Sequence, residues 1–344
     1  MKYVKNILKN IEEINMNKDN YSYSKNFQSD LIIKKIYENY FHKSPDNIII
    51  TSLTGGTKSA VYLLQDDENK TVLKISTKQQ DKLLSFEKDT IWWESEMLKL
   101  MESENIPTPS LFKYDDSCEI CDSPYILMSY IEGRTLEECK KNLSENEIND
   151  IEYQIGQVCS NICRIKENDF YLPSRPENKY NNNFEFVLDL FDMILEDAKT
   201  KNINIGIISY DEIIQLVKKY EGILININNL CLVHSDIWDG NIIIKDGKVS
   251  GIVDFADIYF CDELMTFYFH TIKSETSKKF LEGFGKKDLS FEENIRISIY
   301  KLLVLLKMYV ESNYKHFKNN EWILNKIYNE ISILQDKNKR LRLV

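Results

Sequence analysis

Between residues 47 and 130 the apolar positions mostly alternate with polar ones, and beyond Gly133 they recur every three or four residues. The first pattern predicts strands at 47–53, 60–64, 71–75, 111–115 and 125–129, enough for one five-stranded antiparallel sheet. A helix is expected over 82–104, ending before Ile106-Pro107-Thr108-Pro109, because proline cannot continue a helix. Ahead of the strands, Val4, Ile7, Leu8, Ile11 and Ile14 fall at helical spacing, and 27–41 predicts a second helix ended by Ser44-Pro45. The second pattern predicts helices over 144–167, 184–200, 209–224, 263–272, 291–315 and 319–336, with an Asn-rich loop over 178–183. Residues 231–254 interrupt that run with two apolar stretches, a polar loop and a hairpin. There is no internal repeat. The fold expected is α+β and bilobal. Residues 1–130 form a sheet-and-helix lobe with a helical extension over 1–44, and 131–344 form a mostly helical lobe.

Composition narrows the partners. The chain has 344 residues and a net charge of −10, from 44 basic and 54 acidic side chains. That balance argues against nucleic acid and anionic membranes and leans towards a cationic partner. Seven cysteines without a framework spacing point to a reducing, cytoplasmic compartment. Cys118-Glu119-Ile120-Cys121 lacks the further ligands of a zinc site, so neither zinc nor a disulfide is expected. No apolar run reaches the roughly 18 residues of a membrane span. The N-terminus, with charges among its apolar residues, does not read as a signal peptide. A monomer or weak dimer is expected.

The candidate chemistry lies in the interruption, Val233-His234-Ser235-Asp236-Ile237-Trp238-Asp239-Gly240-Asn241-Ile242, followed 13 residues after Asn241 by Asp254. Any one of these residues is more often a turn former or a cap. The ordered set suits phosphoryl transfer. Asp236 would orient a hydroxyl and accept its proton, while Asn241 and Asp254 would hold Mg²⁺ on the nucleotide phosphates. His234 reads as structural. Upstream, Thr54-Gly55-Gly56-Thr57-Lys58-Ser59 joins two predicted strands. Its glycines and small hydroxyl residues (Thr54, Gly55, Gly56, Thr57 and Ser59) would let backbone N–H groups approach phosphate oxygens. Lys74 stands in the apolar strand Val72-Leu73-Lys74-Ile75 and must be paired if it faces inward. Its partner would be Glu94 or Glu96.

From about residue 48 to 270 the chain resembles the aminoglycoside phosphotransferase and choline-kinase-like family, small-molecule kinases with a protein-kinase-like fold. The resemblance rests on His234-Ser235-Asp236 with Asn241 five positions on, and on the hairpin ending in Val253-Asp254-Phe255. The family usually has Gly where this chain has Ser235. The resemblance implies ATP, with GTP as the alternative donor, and Mg²⁺. It selects Glu94, four residues before Leu98, as the partner of Lys74. It places Met128 behind the adenine, the backbones of Ser129 and Ile131 on its edge, and Val72 and Val253 on its faces. The family's Asp-Pro-x-x-x-Asp after the metal aspartate is not matched here.

About ten residues separate Asp254 from the next predicted helix, too few for a peptide-gripping segment, so a small acceptor is expected. Asp239, Asp257, Asp262 and Glu263 could form an acidic patch for a cationic acceptor, most readily an aminoglycoside-type antibiotic. A metabolic kinase of the choline, methylthioribose or homoserine type is the nearest alternative. A kinase-like structural protein of the spore-coat type is the more distant one.

Overall fold

The computed structural model describes residues 25–53, 58–78, 83–88, 90–227, 229–267, 276–316 and 320–336. They fall into two compact units. One holds the described residues up to Trp92, with Leu111–Tyr130 and Glu311–Asn320, and the other holds Trp93–Ser110, Ile131–Val310 and the described residues from Glu321 on. The helix predicted over residues 4–14 lies outside the described residues.

The first unit is built on strands β1 (Ile49–Leu53), β2 (Ala60–Gln65), β3 (Lys70–Ile75), β4 (Leu111–Asp115) and β5 (Tyr125–Ser129). They form one antiparallel sheet in the order β1-β2-β3-β5-β4. The period-two pattern is visible in β2, where Ala60, Tyr62 and Leu64 are buried and Val61, Leu63 and Gln65 are half-buried. The helix Asp30–Phe41, placed by the sequence in the N-terminal extension, is part of this unit's core. Its Ile33, Ile36 and Tyr37 pack with Ala60, Tyr62, Leu64, Leu73, Ile75 and Leu127. Full burial of such side chains stabilises by about 1.5–3 kcal/mol each. Before the helix, the Gln28 backbone N–H donates to Tyr62 Oη at 2.8 Å, which ties the incoming segment to β2.

The same unit contains a buried ion cluster. Lys315 Nζ meets Glu87 Oε1 at 2.5 Å and Glu311 Oε1 at 2.9 Å, and the Leu84 N–H donates to Glu87 Oε2 at 2.9 Å. Lys315 and Glu87 are each 1 % exposed. A buried cation needs such satisfaction on several sides, and removal of one partner would leave an uncompensated charge. Burial pushes the Glu87 carboxyl up, Glu311 adds to that, and Lys315 opposes it.

The second unit carries two small sheets. One, in the order β11-β10-β6, consists of β6 (Arg134–Thr135), β10 (Ile242–Lys245) and β11 (Lys248–Ile252). The other, in the order β8-β7-β12-β9, consists of β7 (Phe170–Tyr171), β8 (Lys179–Tyr180), β9 (Leu230–His234) and β12 (Ile258–Asp262). Its longer helices are Glu145–Ile162, Asn183–Thr200, Phe291–Tyr314 and Glu321–Gln335, the third of which runs past Val310 into the first unit's segment. Capping explains two of the starts. Ser144 with Glu147 and Ser209 with Glu212 each form a reciprocal capping box, a signature visible as Ser-x-x-Glu. Helices Glu145–Ile162 and Lys278–Phe284 cross at paired glycines, since a Cβ on Gly156 would stand 2.2 Å from the Phe280 carbonyl oxygen.

Three predicted elements are corrected. The helix over 82–104 is a 3₁₀ turn, Ser85–Glu87, followed by the helix Thr90–Ser103. The helix over 209–224 breaks into Tyr210–Lys218 and Glu221–Ile225, with Tyr220 off helical geometry at φ −106° and ψ 14°. Where a helix was expected from 263, Glu263–Phe267 forms a 3₁₀ turn that follows strand β12, and residues 268–272 lie outside the described residues. Every residue of β12 is buried, so the strand has no polar face and shows no alternation. The seven cysteines are free thiols, exposed only at Cys118, and burial pushes Cys159 up to about 12. No described helix is long and apolar enough to cross a membrane.

Candidate active site

The interruption forms the centre of the second unit. Strand β9 delivers His234, the chain turns through Ser235–Trp238 into a 3₁₀ turn at Asp239–Asn241, and the β10–β11 hairpin returns to Val253. The hairpin reverses at Asp246-Gly247, both at positive φ (51° and 73°), which suits an Asp-Gly turn. Ile242 pairs with Ile252, and the Val253 N–H donates to the Asn241 carbonyl at 3.0 Å. Asn241 is thereby joined to the residue just before Asp254. Asp254 is held at φ 67°, a left-handed conformation uncommon for a residue other than glycine.

Hydrogen bonds fix the loop from within. Asn241 Nδ2 donates to Asp236 Oδ2 at 2.9 Å and to the Asp236 carbonyl at 3.0 Å. With its amide nitrogen so engaged, Asn241 keeps its amide oxygen as a donor for a cation. His234 is buried and structural, as the sequence suggests. Its Nδ1 accepts the Asp236 N–H at 3.1 Å, and its Nε2 lies 3.3 Å from the Val253 carbonyl. Those contacts require the neutral ring with its proton on Nε2. Ser235 is also buried, and its N–H and Oγ both donate to the Asp257 carbonyl, at 2.9 and 3.0 Å.

The acidic patch does not form as expected. Asp262 is 1 % exposed, ion-paired with Arg296 Nε at 3.1 Å, and accepts a hydrogen bond from Tyr300 Oη at 2.7 Å. Burial pushes its carboxyl up, and Arg296 and Tyr300 oppose the shift. It anchors the end of β12 and is not available to an acceptor. Glu263 pairs with Lys286 at 2.8 Å and accepts from Asn229. Asp257 pairs with Lys307 at 2.7 Å, and Asp239 with Lys140 at 3.0 Å. Sequence reading missed these four cations. Lys140 and Lys307 lie 99 and 50 positions from their partners, and no local pattern marks them.

In the first unit, Lys74 is 9 % exposed on β3, opposite Ile126, and Val72 stands opposite Met128. Met128 is buried and Ser129 half-buried at the end of β5. Ser59 is half-buried just before β2, whereas Thr54, Gly55, Gly56 and Thr57 lie outside the described residues. In the second unit, Glu94 is the buried one of the two candidate glutamates, at 2 % exposure, and Glu96 is engaged by Lys99 at 2.7 Å. Ile131 packs on the β10–β11 hairpin, where a Cβ on Gly251 would stand 2.3 Å from Ile131 Cδ1. Val253 is half-buried.

Residues 49–286 match the model of the phosphotransferase enzyme family. The chain belongs to that family. This phosphotransferase matches no curated protein. Among solved structures it is similar to the gentamicin complex of APH(2")-IIa, at 17 % identity over 92 % of this chain and 99 % of that one, with a TM-score of 0.62. It is similar to "Putative fructosamine-3-kinase" from Haemophilus somnus 129PT, at 15 % identity over 88 % and 97 % of the two chains, with a TM-score of 0.65. A thermostable mutant of aminoglycoside phosphotransferase APH(4)-Ia, in a ternary complex with AMP-PNP and hygromycin B, shares 14 % identity over 87 % and 97 %, with a TM-score of 0.63. At these identities the likeness is one of fold, and it agrees with the α+β, protein-kinase-like architecture expected from the sequence.

Proposed function

We propose that this phosphotransferase moves the γ-phosphoryl group of ATP to a hydroxyl of a small molecule, with Mg²⁺ as the metal. The observation that carries the reading is the bonded set Asp236–Asn241, joined through Val253 to Asp254. Asp236 receives the acceptor's proton as its oxygen bonds to the γ-phosphorus, and the bond from that phosphorus to the β-bridging oxygen breaks to release ADP. Asn241 keeps Asp236 in place through two hydrogen bonds, so the carboxylate is oriented before the acceptor arrives. His234 holds the Asp236 backbone from the other side.

The donor set fits the metal. Asn241 offers an amide oxygen and Asp254 a carboxylate, both hard ligands suited to Mg²⁺. Among the described residues no group of three or more His, Cys, Asp or Glu is placed to hold a metal ion. A two-residue set completed by phosphate oxygens is how Mg²⁺ is commonly held in such enzymes. When bound, the ion supplies charge neutralisation at the phosphates. In this reading Lys74 meets the phosphates, and Val72, Met128 and Ser129 of the same unit receive the base.

A small acceptor is favoured by the chain after Asp254. Strand β12 begins at Ile258, which leaves only residues 255–257 to serve as a platform. An aminoglycoside-type acceptor is supported by the family and by neighbours solved with gentamicin and hygromycin B, while the four carboxylates Asp239, Asp257, Asp262 and Glu263 are each paired within the chain. The test is Mg²⁺-dependent ADP release by purified protein across an acceptor panel, with calorimetric binding of ATP. Absence of Mg²⁺-dependent ATP binding would refute the proposal.

A further inference from the structure

The loop 234–241 begins where the ladder between β9 and β12 ends. Ile258 is paired with His234, the last residue of β9. One step further, the Ser235 N–H donates to the Asp257 carbonyl at 2.9 Å, and Ser235 Oγ donates to the same oxygen at 3.0 Å. A glycine at 235, usual in the family, could make only the first of these bonds. Both come from the residue that immediately precedes Asp236, so the Asp257 carbonyl sets where the Asp236 backbone starts. Asp257 is also the third residue after Asp254. Between them Phe255 is fully buried, with its ring edge-on to the His234 ring at a centroid distance of 4.7 Å. Asp257 is thus tied to both carboxylates of the proposed reaction.

Asp257 is itself held from a distant part of the chain. Its Oδ1 lies 2.7 Å from Lys307 Nζ, and the side chains of Lys307 and Asp257 are only 14 % and 16 % exposed. Solvent screens so covered a pair much less than an open surface pair. Lys307 stands on the helix Phe291–Tyr314, flanked by the buried Leu305, Leu306, Tyr309 and Val310, so packing fixes the backbone that carries it. A packed helix thereby reaches the loop through one carboxylate and one peptide carbonyl.

Resting on the phosphotransferase reading above, we propose that Lys307 is a positioning residue for the phosphoryl transfer. It acts through Asp257. The ion pair holds the Asp257 backbone, whose carbonyl holds Ser235 and with it Asp236. Lys307 itself touches neither nucleotide nor acceptor.

The experiment uses the full chain and compares Lys307→Met, Lys307→Arg, Asp257→Asn and the double variant Lys307→Met/Asp257→Asn. The double variant removes both charges at little change of shape, so it leaves no covered charge unpaired. Three quantities are measured on each protein: hydrogen exchange of the Ser235 amide, the dissociation constant for Mg²⁺-ATP, and kcat for ADP release per ATP-binding molecule with gentamicin, hygromycin B and water as acceptors. Exchange reads the loop without any acceptor, and the Leu232 amide, which donates to the Ile165 carbonyl, is the internal reference. In Lys307→Met, Ser235 exchange should quicken and kcat should fall, each by about tenfold, with the ATP dissociation constant changed by less than about twofold. Lys307→Arg should recover most of the loss. Asp257→Asn should match Lys307→Met, and the double variant should be no worse than either, because the two residues act as one link. Ser235 exchange unchanged in Lys307→Met overturns the inference, as does an equal quickening at Leu232, which would mean a general loss of stability. An equal loss in Lys307→Arg also overturns it. So does a further fall in kcat when Lys307→Met is added to Asp257→Asn, which would put the lysine on a substrate. Absence of ATP binding by the parent protein defeats the phosphotransferase reading instead, and the exchange result then judges the link from Lys307 to the loop alone.

Discussion

Two neighbouring stretches of the second unit are rich in the same side chains and use them in opposite ways. In the loop 234–241, polar groups turn towards one another. His234 binds the Asp236 backbone, and Asn241 binds the Asp236 carboxylate. In the segment 257–263, the carboxylates turn to cations elsewhere in the unit: Asp257 to Lys307, Asp262 to Arg296 and Glu263 to Lys286. The first arrangement holds one carboxylate, that of Asp236, in a fixed orientation. The second fastens a buried strand and the turn after it. What separates them is spacing. An Asp and an Asn five positions apart on a tight loop meet without outside help. A run of acids on a buried strand is stable only when distant cations neutralise it.

The contrast can be broken by mutation, and the largest effect should fall in the loop. Asp236→Asn keeps the shape and removes proton acceptance, so kcat for acceptor phosphorylation should fall by about 10²–10⁴. Turnover within threefold of the parent protein would take Asp236 out of that role. Asp262→Ala should cost stability, by about 3–5 kcal/mol in denaturant unfolding, because Arg296 is left buried without its partner. A change under about 1 kcal/mol would mean that the pair is not what holds β12, since that is the scale of an exposed pair. Ser235→Ala bears on the junction of the two stretches, where Ser235 Oγ donates to the Asp257 carbonyl. A loss of about 0.5–1.5 kcal/mol is expected, the usual worth of one such bond, and a gain in stability would contradict it. The smallest effect belongs to Asp239→Asn. Its partner Lys140 is 38 % exposed in the side chain, and the change should stay within about 1 kcal/mol.

Much of this was legible in the sequence, for identifiable reasons. The sheet of the first unit follows from alternation and turn residues, and β4 and β5 have the predicted limits, 111–115 and 125–129. The loop residues were legible because Asp236 and Asn241 are linked by a bond local in sequence. Strand β12 was not legible, because burial of all five residues erases the alternation that marks a strand. Nor was the end of Asp262's supposed availability. Its partners Arg296 and Tyr300 sit on a helix more than 30 residues downstream, and only folding brings them to it. The core role of the helix Asp30–Phe41 was hidden for the same reason. Its apolar face was visible, but the sheet it covers was not.

The most direct test of the division between the two stretches measures turnover and unfolding midpoint on Asp236→Asn and Asp262→Asn side by side. Turnover should collapse in Asp236→Asn with its unfolding midpoint near that of the parent protein. The midpoint should fall clearly in Asp262→Asn, while the fraction that remains folded retains kcat within a few-fold. The account is contradicted if Asp262→Asn abolishes turnover at an unchanged midpoint, or if Asp236→Asn loses stability and keeps its turnover.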